Sequence, residues 1–401
     1  MDTQRQDKDV TELVRNYDHW SALIAEDPRD VWDTMRSECP VASSEKYGGF
    51  HILTKYEDIS TAATDWKTFS SAKGVSIPPT NMPPSLPIEV DPPLHREYRR
   101  ILNGPLSPQA ADAAESMIRE MAAELVKKMV KLERFDFAEH FSDRLPKLVV
   151  LQECGLPAGD REVLQPLIEL ISSARVADGE ITDRTAEIMT LVELLALRTQ
   201  EQRDAPDQRG VLGALVSGMI GDRPLGDDEI IGNMITVIFG GLHTTTVLLN
   251  EMVLWLVDHP QERQRLLDEP EIFDRAVEEF LRYFGPSGGL SRTVTRDVEV
   301  RGCPLKEGEQ VMLLFGSANL DESHFEKPRE IVLDRQKNKH LSFGFGPHRC
   351  VGSHLARKMV RVSLQELLPI IGQFEVADRT ALKRSGGESR GLVCLPLVRI
   401  S

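Results

Sequence analysis

The residues with the plainest chemical content run from His340 to Gly352, as His340-Leu341-Ser342-Phe343-Gly344-Phe345-Gly346-Pro347-His348-Arg349-Cys350-Val351-Gly352. A glycine-rich loop here presents one cysteine just before an apolar, helix-forming run. Gly346 and Gly352 permit close backbone approach and unusual torsions. The free N–H groups and positive end of the following helix favour the thiolate form of Cys350. Such a thiolate is a soft ligand for iron, and as the axial ligand of a haem it pushes electron density onto the metal. Three plainer readings compete. A lone cysteine is usually a small buried hydrophobe. Gly344-Phe345-Gly346 could be half of a dinucleotide loop, but the third glycine position holds Arg349. A thiol beside His348 could be a nucleophile, although neighbours in sequence need not meet productively.

None of these accounts for the whole pattern F-x-x-G-x-x-x-C-x-G followed by Leu355-Ala356-Arg357. That pattern resembles the haem-binding loop of the cytochrome P450 superfamily. The resemblance extends over nearly the whole chain, in the family's usual order. Glu279-Phe280-Leu281-Arg282 matches the family's E-x-x-R, followed by Tyr283, Pro286 and Arg292. Glu279 and Arg282 lie on one helical face and can pair. The resemblance makes them a structural clamp under the haem loop, with Arg335 as a third member. It nominates Cys350 as the axial ligand and places Phe343, Gly344 and Gly352 at the cofactor. His95, Arg99, Arg292 and His348 become partners of the haem propionates, which need cations or donors when partly buried. Arg96 and Arg100 are expected to be surface charges.

The elements that must position these groups are mainly helical. Asp227-Asp228-Glu229 opens a strongly apolar helix that runs to about Asp258, with acids at its positive end. It carries Gly240-Gly241-Leu242-His243-Thr244-Thr245, and two glycines inside a helix cost about 1 kcal/mol each relative to alanine. The resemblance reads this stretch as a local opening of the helix ladder that leaves room for dioxygen, with Thr244 in proton delivery. His243 stands where an acid is usual in the family, so it becomes a candidate proton relay. Another helix is expected over about 271–284 and a third from about Val351 to Leu368. Apolar residues recur at helical spacing from Pro108 to about Thr199. Short strands are expected at 48–56, Val298–Val300 and Gln310–Leu314. Residues 74–93 hold seven prolines and read as an ordered loop. The resulting fold is mainly α with a minor β portion in one domain, 1–401, its smaller β-containing part from about 40–75 and 290–320. The resemblance implies a triangular prism-like P450 fold with haem between the long central helix and the Cys-loop helix.

The 401 residues carry 48 Lys and Arg against 63 Asp and Glu, a net charge of −15. An acidic chain of this kind is a poor binder of nucleic acid or anionic membranes. Five scattered cysteines without a C-x-x-C pair, and a polar, charged N-terminus, read as reduced thiols in a cytoplasm. The resemblance then implies a soluble, cytoplasmic, monomeric monooxygenase, binding haem b and inserting one atom of dioxygen into a lipophilic small molecule by hydroxylation or epoxidation. Electrons would come from a ferredoxin and its ferredoxin reductase, since no flavin or NAD(P)H domain is evident. Arg349, Arg357, Lys358 and Arg361 suggest a basic docking patch beside Cys350. A peroxide-driven enzyme and a non-catalytic haem or ligand carrier are the alternatives, and Thr244 argues against the first. Substrate-pocket candidates are Ile77, Leu86, Ile88, Phe239, Gly240, Gly289, Leu290 and Leu395, with Ser287-Gly288-Gly289 leaving room near the haem. No Lys or Arg occurs in 74–93, which favours a neutral substrate.

Overall fold

Three acids, Asp227, Asp228 and Glu229, stand in the first turn of the longest helix, Asp227–Asp258, where they meet its positive dipole end. The computed structural model describes residues 15–79, 84–172, 176–177, 180–181, 183–204 and 209–400. Helix accounts for 54% of the chain and sheet is minor, as the periodicity requires. By contact density the chain falls into two compact units. The first comprises residues 1–81, 250–350 and 379–395, and the second 82–249, 351–378 and 396–401.

In the first unit a five-stranded sheet runs in the order Val41–Ser44, Phe50–Leu53, Gln310–Leu313, Leu290–Val294, Phe69–Ser70. Only the pairing of Gln310–Leu313 with Phe50–Leu53 is parallel. One side of this sheet closes over Ile59, Phe315 and Phe325, the other over Trp32, Met35 and Leu320. Helix Phe273–Phe284 buries Phe273, Ala276, Val277, Phe280 and Leu281, the i, i+3, i+4 stripe of an amphipathic helix. Glu279 and Arg282 are also buried, together on the side of the helix away from that stripe. The helix stops at Gly285, directly before Pro286.

In the second unit helix Glu115–Met129 packs on helix Ser353–Ile371 through apolar stripes that include Ile118, Ala122, Leu355 and Met359. Helix Leu94–Leu102 carries His95, Tyr98 and Leu102 on its buried side. Tyr98 donates to Glu229 at 2.5 Å, and Arg223 pairs with the same carboxylate at 2.6 Å, so this helix is tied to the start of the long helix. Asp227–Asp258 is, among the described residues, the one helix long and apolar enough to cross a membrane, and half of its most apolar window is buried within the protein.

The structure departs from the sequence expectation in three places. The helical stretch 108–199 is broken by strand Arg134–Asp136 and by the short pair Val176–Ala177 and Glu180–Ile181. Sheet is not confined to 40–75 and 290–320: Arg134–Asp136 pairs with Pro396–Arg399, which pairs in turn with Phe374–Val376. A further hairpin joins Lys383–Ser385 to Gly391–Cys394. The helix after the cysteine loop begins at Ser353 and ends at Ile371, each a few residues later than expected. Of the proline-rich loop 74–93, residues 80–83 lie outside the described residues, and the remainder is turn and coil with no strand before Leu94.

Candidate functional site

The cysteine loop is held at almost every residue. Tyr56 donates to the Lys339 carbonyl at 2.7 Å, and Asn319 Oδ1 accepts from the Leu341 amide at 2.6 Å. Asn319 Nδ2 also donates to Ser342 Oγ at 2.7 Å, and that hydroxyl donates to the Leu281 carbonyl at 2.6 Å. The Cys350 amide donates to the Phe343 carbonyl at 2.8 Å, which closes the loop on itself. Gly344 and Gly346 both have positive φ, +67° and +69°. Gly346 has a second reason to be glycine: a Cβ there would lie 2.5 Å from the Ala63 carbonyl oxygen. The loop is thereby pressed against the end of helix Tyr56–Thr64. At its end the Cys350 side of the loop is exposed, as are Arg349 and Phe345.

The pair Glu279 and Arg282 is fully buried, with Nη2 to Oε1 at 2.7 Å and Nε to Oε2 at 2.9 Å. Arg335 joins it at 2.8 Å, Asn338 at 3.1 Å, and the Val332 amide at 2.8 Å. Arg282 in turn donates to the carbonyls of Asn319, Pro328 and Glu330. Burial alone would push the Glu279 carboxyl up; the Arg282 hydrogen bonds and charge, then Arg335 and the Val332 amide, outweigh it and hold the group below the usual carboxylate range. The network fixes the segment that runs from Asn319 into the cysteine loop.

Arg292 is buried on strand Leu290–Val294, with Nη1 donating to the Ser291 carbonyl at 2.7 Å. His348 Nε2 lies 3.2 Å from Ser71 Oγ. The first unit thus brings together Phe343, Gly344, His348 and Cys350 on one loop. Gly289 and Leu290 lead into Arg292 on the sheet, and a Cβ at Gly289 would meet the Leu313 carbonyl at 2.8 Å. Ile77 and Leu395 are closed in the core at 1% and 0% exposure. The Ile77 carbonyl is pinned by His19 Nε2 at 2.8 Å and Trp20 Nε1 at 3.0 Å.

The second unit carries His95, buried, and Arg99, half-buried, one turn apart on Leu94–Leu102, while Arg96 and Arg100 are exposed as expected. Gly352 caps the helix Ser353–Ile371 and accepts from the Ala356 amide. In the long helix the stretch Gly240–Thr244 is continuous α-helix, so the expected opening is not a break in the ladder. Room comes instead from a missing side chain. A Cβ at Gly240 would find no atom within 4 Å, and Gly240 is exposed in an otherwise apolar helix. Thr244 Oγ1 donates to the Gly240 carbonyl at 3.0 Å, and His243 and Phe239 are half-buried. Gly241 is packed tightly, with Val150 2.8 Å from its Cβ position, and Thr246 donates to the Ser142 carbonyl at 3.0 Å. These contacts set the helix's rotation. Leu86 lies along Gly232, and Ile88 is half-buried. Of the expected basic patch, Lys358 is taken up in ion pairs with Glu115 at 2.6 Å and Asp112 at 3.0 Å.

Sequence reasoning missed Asn319 and Ser342. A signal existed for Asn319: it is a lone amide in the apolar run Phe315–Leu320, and a buried amide must be hydrogen-bonded. For Ser342 there was none.

Among the described residues no three His, Cys, Asp or Glu side chains gather to hold a bare metal ion. A centre built on one thiol suits a metal that brings ligands of its own, as iron does in a porphyrin. Within the first unit, the exposed thiol on its bonded loop and the buried Arg292 fit that group. Fold and site define a mainly helical haem enzyme.

The comparisons agree. The family model for cytochrome P450 matches residues 171–393. The chain is 30% identical over 380 residues to a putative cytochrome P450 123 of Mycobacterium tuberculosis, covering 93% of this chain and 94% of that one. It is 28% identical to a biotin biosynthesis cytochrome P450 of Bacillus subtilis, covering 89% and 92%. The crystal structure of CYP101J2 superposes with a TM-score of 0.85 at 26% identity, covering 96% and 97%. The chain belongs to the cytochrome P450 family, and is a monooxygenase whose cofactor is haem b.

Proposed function

We propose that residues 1–401 act as one catalytic domain of a cytoplasmic, ferredoxin-dependent monooxygenase that hydroxylates or epoxidises a neutral lipophilic small molecule. Cys350 would hold the haem iron through its sulfur. The observation that carries this assignment is its exposed position on a loop held at Leu341, Ser342, Phe343 and Gly346. Haem b supplies dioxygen activation when bound. Arg292, His348, His95 and Arg99 would hold its carboxylates by charge-assisted hydrogen bonds. Phe343, Gly344 and Gly352 shape its contact with the loop.

Gly240 leaves the space that dioxygen and a water need. The Thr244 hydroxyl holds a water and hands on its proton, exchanging its bond to the Gly240 carbonyl for one to that water. His243 resupplies the proton, because an imidazole changes charge near neutral pH without a large shift. Apolar Phe239, Leu86, Ile88 and Leu290 exclude bulk water and orient the substrate, and the absence of Lys and Arg from 74–93 disfavours a carboxylate-anchored one. One acidic chain working as a monomer would dock an acidic ferredoxin through Arg349, Arg357 and Arg361, with Lys358 contributing less because it is paired.

The test is to screen lipophilic compounds for a low- to high-spin Soret shift. Each hit is then incubated with NAD(P)H, ferredoxin reductase and ferredoxin under isotopically labelled dioxygen. One labelled oxygen in the product supports the reading. Turnover with peroxide but not with the reductant, or a spin shift without oxygen consumption, contradicts it.

A further inference from the structure

The loop 339–350 contains a second histidine that the mechanism above does not use. His340 is closed from solvent, its side chain 2% exposed, and both ring nitrogens are engaged. The Ser342 amide donates to Nδ1 at 3.2 Å. Nε2 lies 3.1 Å from Glu278 Oε2. An amide N–H can only donate, so Nδ1 must offer its lone pair and the ring proton must sit on Nε2. Nε2–H then donates to the Glu278 carboxylate, a charge-assisted bond. The imidazole also lies against the Phe343 ring, centroids 5.9 Å apart.

Glu278 and Glu279 are consecutive on helix Phe273–Phe284, and the structure sends them to different work. Glu279 takes Arg282 and Arg335, which fix the chain leading into the loop. Glu278 takes His340, and through it the amide of Ser342. One residue further on, the Phe343 carbonyl accepts the Cys350 amide at 2.8 Å. A short chain of bonds therefore joins a carboxylate on the helix to the backbone of the cysteine.

We infer that His340 is a positioning residue for the thiolate: locked as its Nε2–H tautomer between Ser342 and Glu278, it holds the backbone that fixes Cys350. The inference rests on Cys350 being the haem ligand. Losing the lock lets residues 342–343 move, and with them the backbone that holds the Cys350 sulfur in place.

The experiment uses full-length, haem-loaded protein. The reduced CO complex is followed as its red-shifted, thiolate-type Soret band gives way to the blue-shifted, thiol-type band. His340→Phe keeps an aromatic ring against Phe343 but removes both nitrogens, and is expected to speed the conversion roughly tenfold, about what one charged hydrogen bond is worth. Glu278→Ala should speed it roughly fivefold. Glu278→Gln keeps an acceptor oxygen for Nε2–H and should stay within about twofold of wild type. The double variant should convert no faster than His340→Phe alone, because the two residues act in series. Glu278 is partly exposed, so its two variants decide the matter if His340→Phe folds poorly. Equal conversion rates in wild type and Glu278→Ala, or a fall in melting temperature with no spectral change, overturn the inference. A wild-type protein that never shows the red-shifted band overturns the ligand assignment beneath it, and this inference with it.

Discussion

The cysteine loop and the glycine-threonine stretch of the long helix are built on opposite principles. The loop is bonded at Lys339, Leu341, Ser342 and Phe343, and Gly346 leaves no space for even a methyl group. Gly240 has nothing within 4 Å of its Cβ position, and the Thr244 hydroxyl makes a bond within its own helix that it can exchange for a water. A ligand that tunes a metal must not move, because its electron donation depends on its bond length and protonation. A group that passes protons needs space and an exchangeable partner. The same residue type, glycine, serves both ends: at 346 it allows contact, and at 240 it leaves room.

Breaking the rigid side should cost the most. Glu279→Ala strands Arg282 and Arg335 in a buried site, at about 3–5 kcal/mol, and little haem-loaded protein should be recovered. Because the folded-state pKa of Glu279 lies below its ordinary value of 4.5, its contribution is complete above that value and is lost as pH falls through the lower, folded value. Acid titration of melting temperature should show that loss in wild type. A normal yield and melting temperature in the variant would make the pair dispensable.

The two glycines give the sharpest contrast. Gly346→Ala combines a φ of +69° with a carbonyl 2.5 Å from the new methyl, and should destabilise by about 1–3 kcal/mol or more with faster haem loss. Gly240→Ala has ordinary helical torsions and free space, so it should leave stability equal or raise it by up to about 1 kcal/mol. It should nonetheless lower product formation by filling the space. Equal melting temperatures for the two variants would remove the contrast.

On the open side, Thr244→Ala should change stability by under about 1 kcal/mol and still consume NAD(P)H, with most of it ending as hydrogen peroxide. Over about pH 6 to 8, His243→Phe should slow product formation far more than it weakens substrate binding. Product formed per NAD(P)H consumed, measured across that range, checks both. Unchanged coupling in either variant would take that residue out of proton delivery.

The smallest effect is expected at Glu229, which Arg223 holds down to about 2, helped against burial by the Tyr98 hydroxyl and the Gly226 amide. Its stabilisation is present above its ordinary 4.5 and is lost as pH falls toward 2. Glu229→Gln should flatten that part of the acid melting profile by under about 1 kcal/mol, since the pair with Arg223 is partly solvated. An unaltered profile would show that helix Leu94–Leu102 is held by packing alone.

Much of this was legible in the sequence where the signal is local. The ends of Asp227–Asp258 follow from its three opening acids and its apolar run, and the Glu279 and Arg282 pair follows from a three-residue spacing on one helical face. Strand Arg134–Asp136 was not legible, because three residues show no alternation and its partner Pro396–Arg399 lies at the far end of the chain. The Ile77 carbonyl is held by His19 and Trp20, again distant in sequence. His340 and Ser342 sit in the most informative motif of the chain, yet their work depends on Glu278 and Asn319, which only the fold brings to them.

The central claim is that one thiol, held rigidly, is the haem ligand. Replacing Cys39, Cys154, Cys303, Cys350 and Cys394 by serine, one at a time, and recording the reduced CO spectrum of each tests it most directly. The red-shifted Soret band should vanish in Cys350→Ser and persist in the other four. A Cys350→Ser protein that keeps the band, or a second cysteine whose loss abolishes it, would contradict the account.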